Sequence, residues 1–230
     1  NDAARYLSST GARTLGIACD VCDEAQVKSA VAATIEHFGG VDILVNNAAM
    51  FNRKGVLDMP VAQWRAQVDV ILTGAFLFSQ HSARAMIDGA RRGSIINIIS
   101  TAGHQGEPRN VAYSTAKCGL INFTRSCAME LADKGIRVNS LTPTATDPSE
   151  SFARAQRWGR PAVDGSAILA VMESFRRRVP LQKLPVPTDY GRAAVFLCSD
   201  DAGMITGTDL RIDAGAVARY WAWDPTMPMR

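Results

Sequence analysis

Short apolar runs alternate along this chain with longer stretches whose apolar residues recur at helical spacing. The short runs predict five strands, at residues 12–19, 41–46, 94–99, 136–141 and 208–212. The amphipathic stretches predict helices at 23–38, 60–90, 112–133, 166–178 and 187–199. Apolar strands that alternate with helices are typical of parallel sheets covered on both faces. The pattern therefore predicts a doubly wound α/β fold, with residues 1–230 forming one domain.

The segment 144–186 interrupts this alternation. It is rich in proline, serine and arginine and contains one clear helical stretch, at 166–178. In a doubly wound sheet this segment follows the carboxyl end of a strand, where ligands bind. We expect it to form a lid over a substrate, with a surface insertion or a subunit contact as the alternatives.

Composition limits the partners of the chain. The net charge is +3 without a long basic run, which does not favour nucleic acid. No apolar stretch approaches the roughly 20 residues of a membrane span, and the first residues show no signal-peptide pattern. The five cysteines, an odd number at irregular spacing, favour a reducing compartment. We therefore expect a cytoplasmic protein with no nucleic-acid and no membrane partner.

Metal-ligating residues are sparse. Cys19 and Cys22 form a lone CxxC pair, whereas a structural zinc site requires four ligands. The three histidines are scattered singly at positions 37, 81 and 104. No metal site is expected.

The strongest chemical signal is the pair Tyr113 and Lys117 in the predicted helix 112–133. Residues four apart share one helical face, so the phenol and the ammonium can point into one cleft. A phenol ordinarily titrates near pH 10, and a nearby positive charge lowers that pKa. Tyr113 can then serve as a general base towards an alcohol or as a general acid towards a ketone. A YxxxK pattern alone is common, and a solvated lysine beside a half-buried tyrosine is the simpler interpretation.

Other candidate residues lie where predicted strands end. Ser100 follows the strand 94–99, and its hydroxyl can hold a substrate oxygen, unless it is an ordinary turn residue. Asn46 and Ala48 follow the strand 41–46, where small residues let a ligand approach the backbone. Asp20 and Val21 follow the first predicted strand, where the aspartate can accept a hydrogen bond from an adenine amino group.

Taken together, these patterns resemble the short-chain dehydrogenase/reductase family over essentially the whole chain. The resemblance rests on Asp20-Val21, NNAA at 46–49, LTG at 72–74, the spacing of Ser100, Tyr113 and Lys117, VNSLTP at 138–143, VPL at 179–181 and FLCSDDAGMITG at 196–207. It implies a Rossmann-like fold and NAD(P)-dependent hydride transfer between the cofactor and a secondary alcohol or ketone. It also implies a homotetramer or homodimer in which the helices predicted at 60–90 and 112–133 pack between subunits.

The resemblance also implies a role for each site residue. Tyr113 would be the acid/base and Ser100 the orienting group. Lys117 would hold the cofactor ribose and lower the tyrosine pKa. The cofactor would be lined by Asp20, Val21, Asn46, Ala48, Tyr113, Lys117, Pro143, Thr144 and Thr146.

The sequence departs from the family at three places that bear on function. The family's opening strand, its TGxxxGxG loop and the following helix, which supply the pyrophosphate site, have no counterpart here. We expect roughly 30–40 residues of this kind upstream of Asn1; the alternative is a chain that does not bind a dinucleotide normally. Ile71 replaces an asparagine that supports a proton relay, and Thr144 replaces a glycine.

Substrate and cofactor choice are less determined. The candidate substrate residues are Met50, Phe51, His104 and Gln105, with His104 either bonding a substrate hydroxyl or packing. The sequence does not define the substrate beyond a secondary alcohol or ketone, whether cyclic, sugar-like or aromatic. The arginines of the lid indicate an anionic substrate as one alternative, although solvated arginine side chains are the usual case. NAD is slightly favoured over NADP.

Three further interpretations stay open. A non-catalytic nucleotide sensor or scaffold is the rival function, and it draws on the absent glycine loop and on Ile71. An acyl-carrier-protein ketoreductase would need a basic docking face, for which Arg53 and Lys54 are the only hint. Trp221 and Trp223 either close a neighbouring subunit's site or cover the core.

Overall fold

A computed structural model describes residues 2–158, 160, 165–220, 222 and 224 of the chain. Its strands are β1 Ile43–Asn46, β2 Gly93–Ile98, β3 Ile136–Pro143 and β4 Asp209–Ile212. Its α-helices are α1 Asp2–Ser9, α2 Glu24–Phe38, α3 Val61–Val68, α4 Gly74–Asp88, α5 Val111–Leu131, α6 Ser149–Arg157, α7 Ser166–Arg176 and α8 Pro187–Cys198. None of the helices within these residues combines the length and the apolar character that crossing a membrane requires.

The four strands form one parallel sheet in the order β1-β2-β3-β4. Asn46 of β1 pairs with Asn97 of β2, which pairs in turn with Ser140 of β3. Because all strands run in the same direction, their carboxyl ends lie along one edge. The loops that follow Asn46, Ile98 and Pro143 therefore meet at that edge, where ligands bind in such sheets.

Helices cover both faces of the sheet, because neighbouring residues of a strand point to opposite sides. On one face, Ile95 packs with Met86 of α4 and Ala128 of α5 in a buried cluster. On the other face, Ile96 packs with Leu141 and with Leu197 of α8. The prediction of a parallel α/β sheet covered on both faces is confirmed.

The strand predicted at 12–19 is wrong. These residues form no strand, and Leu15 and Ile17 are about two-fifths exposed. A strand exists only when its N–H and C=O groups pair with a neighbour, and no described strand lies beside this segment. An apolar run alone therefore did not determine the local structure.

The helix predicted at 60–90 is divided by a π-helical turn at Asp69–Thr73, between α3 and α4. π-helical turns are rare in proteins, and they occur frequently at functional sites. This one places Ile71, which is 1% exposed, in a cluster with Ala75, Ile99 and Leu120. Ile71 therefore has the packing role expected from its apolar side chain.

The segment 144–186 contains two helices, α6 and α7, of which only α7 was predicted. The segment is fastened to α8 by hydrogen bonds between Thr146 and Tyr190 (3.0 Å) and between Thr188 and Glu150 (2.7 Å). At its other side, α6 lies near α1, where Arg157 donates to the Tyr6 hydroxyl at 3.2 Å. Trp221 and Trp223 lie outside the described residues.

Candidate active site

Ser100 stands two residues beyond β2, at the start of a 3₁₀ turn over Thr101–Gly103. Its Oγ accepts a hydrogen bond from the Ala102 amide at 3.2 Å, which fixes the side chain as the cap of that turn. The turn packs closely on α5: a β carbon at Gly103 would lie 3.0 Å from the Lys117 carbonyl oxygen. The absence of a side chain at Gly103 allows this close approach, which brings Ser100 next to α5.

Tyr113 and Lys117 lie one turn apart on α5, as predicted, because residues four apart share a helical face. The Lys117 Nζ is 5.7 Å from the centroid of the Tyr113 ring. The Ser100 hydroxyl lies near the Tyr113 phenol and lowers its pKa. The predicted residues Ser100, Tyr113 and Lys117 therefore come together at the carboxyl end of β2.

Lys117 is almost fully buried, with 2% of its surface exposed. Its ammonium donates to the Ile98 carbonyl at 2.5 Å. Burial lowers the pKa of Lys117 to about 8, because an ammonium loses hydration inside the protein. An ammonium has three N–H donors, and no described residue accepts from the other two.

The pKa of Tyr113 is raised, mainly because the phenol is largely buried. The neighbouring Ser100 hydroxyl lowers this pKa, and the negative charge of Glu107 raises it further. Lys117 is not among the groups that shift this pKa, so the lowering expected from the sequence is not found, and burial decides the direction. Tyr113 is therefore a protonated phenol at neutral pH in this arrangement.

Ser100 and Tyr113 open into a cavity of about 520 Å³. Its wall includes the predicted residues Phe51, Gln105 and Thr144, together with Met172 and Phe175 of α7. The Phe51 ring meets the Tyr113 ring edge-on, with 6.0 Å between centroids. A cavity of this size suits a small organic molecule, and α7 of the segment 144–186 forms part of its wall.

His104 and Met50 do not line this cavity. The His104 Nε2 lies 3.0 Å from Asp209 Oδ2 and 3.1 Å from the Thr142 hydroxyl, so the imidazole faces the ends of β3 and β4. Asp209 also accepts from the hydroxyls of Ser140 and Thr142, at 2.7 and 2.9 Å. His104 thus ties the loop of Ser100 to the sheet instead of facing the pocket.

A second cavity of about 220 Å³ lies at the carboxyl end of β1. The predicted cofactor residues Val21, Asn46 and Ala48 line it, with Ile71 and Gly74 at its base. A β carbon at Gly74 would lie 2.8 Å from a Val21 methyl carbon, so glycine permits this approach.

Other predicted cofactor residues have side chains engaged by the protein. The Asn46 amide donates to Asn97 at 2.8 Å and to Ser79 at 3.0 Å, which joins β1 to β2 and α4. Exposed Asp20 accepts from the Cys22 amide at 2.9 Å. Asn46 lines the cavity, whereas Asp20 is not among the residues of its wall.

The loop after Pro143, the last residue of β3, carries the remaining cofactor candidates. Thr144 lines the larger cavity, and its carbonyl accepts from the Thr146 hydroxyl at 3.2 Å. The Tyr190 hydroxyl lies 3.0 Å from the Thr146 hydroxyl. The loop therefore stands beside Ser100 and Tyr113, with Thr146 turned towards α8.

Several residues of the larger cavity were not among the predicted site residues: Thr101, Ala102, Glu107, Asn110, Ala216 and Arg219. Met172, Phe175 and Arg178, which also line the cavity, lie in the segment 144–186 that was predicted as the lid. Ala216 and Arg219 follow the last strand, and no local pattern marked them. No group of three or more metal-ligating side chains occurs among the described residues.

Comparison with known proteins agrees with this geometry. Residues 1–217 match the family model described as enoyl-(acyl carrier protein) reductase. The chain is 35% identical to cis-4-hydroxycyclohexanecarboxylate dehydrogenase of Sinomonas cyclohexanicum over 95% of the chain and 82% of that protein. It is 33% identical to D-threitol dehydrogenase of Mycolicibacterium smegmatis over 93% and 76%.

The fold has solved relatives. A short-chain type dehydrogenase/reductase from Mycobacterium marinum superimposes with a TM-score of 0.79 at 30% identity, covering 94% of this chain and 79% of that one. The chain belongs to the short-chain dehydrogenase/reductase family and is an NAD(P)-dependent oxidoreductase of alcohols and ketones.

Proposed function

We propose that Tyr113 is the general acid/base of this oxidoreductase, acting at the oxygen of a secondary alcohol or ketone. The observation that carries the proposal is that Ser100 and Tyr113 line the same cavity, with the buried Lys117 one helical turn from Tyr113. In alcohol oxidation the Tyr113 oxygen takes the hydroxyl proton, and in ketone reduction it returns that proton. The Ser100 hydroxyl holds the substrate oxygen beside Tyr113.

The residues present fit a nicotinamide cofactor. The Lys117 ammonium is buried, and two of its N–H donors have no acceptor among the described residues, which suits a ribose diol. When bound, the cofactor accepts the hydride in alcohol oxidation and supplies it in ketone reduction. Val21 and Ala48 would line the adenosine part, and Thr144 would lie near the nicotinamide.

Lys117 has a second task, which is to bring positive charge to the phenol. Its pKa of about 8 keeps the ammonium mostly protonated at neutral pH. A positive charge near Tyr113 favours the phenolate and opposes the effect of burial on the tyrosine pKa. Ile71 supplies no polar atom to the relay that the family's asparagine supports.

The substrate is a small cyclic or polyol-like secondary alcohol, or the corresponding ketone. The cavity of about 520 Å³ has room for such a molecule, and Phe51, Met172 and Phe175 provide apolar walls. Two relatives act on compounds of this size, a hydroxycyclohexanecarboxylate and D-threitol. The segment 144–186 serves as the lid, since α7 contributes to the wall.

NAD is the preferred cofactor in this proposal. Titrating the purified protein with NADH and with NADPH, by fluorescence of the reduced nicotinamide, tests the preference. Tighter binding of NADH is expected, and tighter binding of NADPH would reverse the assignment.

The assembly is a homotetramer or homodimer in a cytoplasmic compartment. The proposed subunit contact uses the faces of α4 and α5, where Phe76 and Ile87 are more than two-fifths exposed beside Phe123. The five cysteines are all free thiols, in keeping with a reducing environment. Sedimentation equilibrium gives the subunit number, and a monomer would refute the contact.

Replacing Tyr113 by phenylalanine tests the proposed chemistry. The hydroxyl is removed while the ring packing against Phe51 is kept, so turnover should fall by at least about 100-fold. Unchanged turnover would refute the role of Tyr113. The relatives are named dehydrogenases, so nothing in the comparisons favours a non-catalytic sensor.

A further inference from the structure

The larger cavity carries an unbalanced positive charge. Three guanidiniums line it, those of Arg53, Arg178 and Arg219, against one carboxylate, that of Glu107. The Glu107 carboxylate accepts a hydrogen bond from the Asn110 amide at 2.9 Å, which holds it on its own loop. The wall of a pocket that contains the proposed catalytic tyrosine is therefore cationic.

The neighbouring arginines of the segment 144–186 behave differently. Arg176 and Arg177 both pair with Glu173, at 2.6 and 3.0 Å, and Arg160 pairs with Asp2 at 3.0 Å. No described carboxylate lies within ion-pair distance of the three cavity arginines. The cavity thus gathers guanidiniums whose charge is not neutralised by the described part of the chain.

Contacts position two of these side chains, those of Arg219 and Arg53. The Arg219 Nη1 donates to the Arg178 carbonyl at 2.8 Å, which ties the segment after β4 to the end of α7. The Arg53 guanidinium stacks on the Phe51 ring at 5.6 Å, and that ring meets Tyr113. The Phe51 ring therefore contacts both the Arg53 guanidinium and Tyr113, the proposed acid/base.

We infer that the substrate carries a carboxylate, bound by these arginines while its hydroxyl or keto group meets Ser100 and Tyr113. The inference rests on the proposed function and names the substrate class of the same site. A guanidinium presents paired N–H donors that match the two oxygens of a carboxylate. The apolar side chains of Phe51, Met172 and Phe175 in the same wall suit a ring that links the carboxylate to the reacting carbon.

Binding of unreactive analogues tests this inference without depending on turnover. The probes are cyclohexanecarboxylate and the uncharged cyclohexanecarboxamide, titrated into the protein saturated with oxidised cofactor and followed by calorimetry. The carboxylate should bind at least about 10-fold more tightly, because hydrogen bonds to a charged group are stronger than neutral ones. The difference should shrink as salt is raised, since the arginines are exposed.

Variants then assign the effect to the cavity. The triple variant Arg53→Gln/Arg178→Gln/Arg219→Gln should bind both probes equally, and Arg178→Gln/Arg219→Gln or Arg53→Gln alone should reduce the difference. Arg192→Gln is the matched control, because Arg192 is an exposed arginine of α8 outside the cavity wall. Equal binding of the two probes by the unaltered protein, or a difference that survives the triple variant, would overturn the inference. Tighter binding of cyclohexyl phosphate than of the carboxylate would overturn the choice of carboxylate.

The test separates the inference from the chemistry. Tyr113→Phe should leave the preference for the carboxylate probe unchanged while it abolishes turnover. A carboxylate preference together with full Tyr113→Phe activity would sustain the inference and refute the role of Tyr113. Loss of activity in Tyr113→Phe without any preference for the carboxylate probe would sustain the role of Tyr113 and refute the inference.

Discussion

Replacing Lys117 by methionine should abolish activity and make the protein more stable. The pKa of Lys117 lies at about 8 in the folded protein against an ordinary value of 10.5, because the ammonium is buried. Each pKa unit corresponds to about 1.4 kcal/mol, so holding the charged form costs the fold about 3.5 kcal/mol below pH 8. The variant avoids this cost but loses the hydrogen bond to the Ile98 carbonyl, which is worth about 1 kcal/mol. The net stabilisation should be about 2–3 kcal/mol.

The sign of the pH dependence follows from the lowered pKa. Below pH 8 the lysine is protonated in both the folded and the unfolded state, and the full cost is present. Between pH 8 and 10.5 the folded state releases the proton first, so the wild type regains stability as pH rises. The advantage of the methionine variant should therefore be largest at pH 7 and should shrink towards pH 10.

Urea unfolding of the cofactor-free protein at fixed protein concentration measures both effects. Lys28→Met is the matched control, because Lys28 is an exposed lysine of α2 and its replacement should change little. A Lys117→Met variant that is less stable than the wild type at pH 7 would refute the reasoning. So would a stability difference that stays constant between pH 7 and pH 10.

Three further substitutions address the frame around the site. His104→Ala removes the tie to Asp209, so kcat should fall by roughly 10-fold with the cofactor KM unchanged; an unchanged kcat would show that the tie does not position Ser100. Gly103→Ala places a β carbon 3.0 Å from the Lys117 carbonyl oxygen, and the overpacked turn should cost about 1–3 kcal/mol in urea unfolding and lower kcat. A neutral effect on both would mean that the turn can move without consequence. Ile71→Asn buries an amide in an apolar cluster and should cost about 1–3 kcal/mol; higher activity without that cost would point to a restored proton relay.

The sequence predicted those features that depend on spacing within one element. Tyr113 and Lys117 share a face because four residues make about one helical turn, and Ser100 follows a mainly apolar strand. The alternation of such strands with helices also predicted the parallel sheet. These patterns are local, so they could be found without knowing the fold.

Features that depend on distant residues were not predictable in this way. The apolar run at 12–19 has no pairing strand within the described part of the chain, which no property of those eight residues reveals. His104 was a candidate either for a substrate contact or for packing, and its partner Asp209 lies 105 residues further along the chain, so only the sheet brings the two together. The same holds for Arg53 and Arg219, which come from opposite ends of the sequence to one cavity.

The most direct test of the account is the comparison of wild type and Tyr113→Phe in hydride transfer. The purified protein is supplied with NAD⁺ or NADP⁺ and a panel of secondary alcohols, and formation of the reduced nicotinamide is followed by absorbance. The account predicts that the wild type reduces the cofactor with at least one alcohol and that the variant loses at least about 100-fold of this rate. Equal rates in the two proteins would contradict the assignment of Tyr113 as the acid/base.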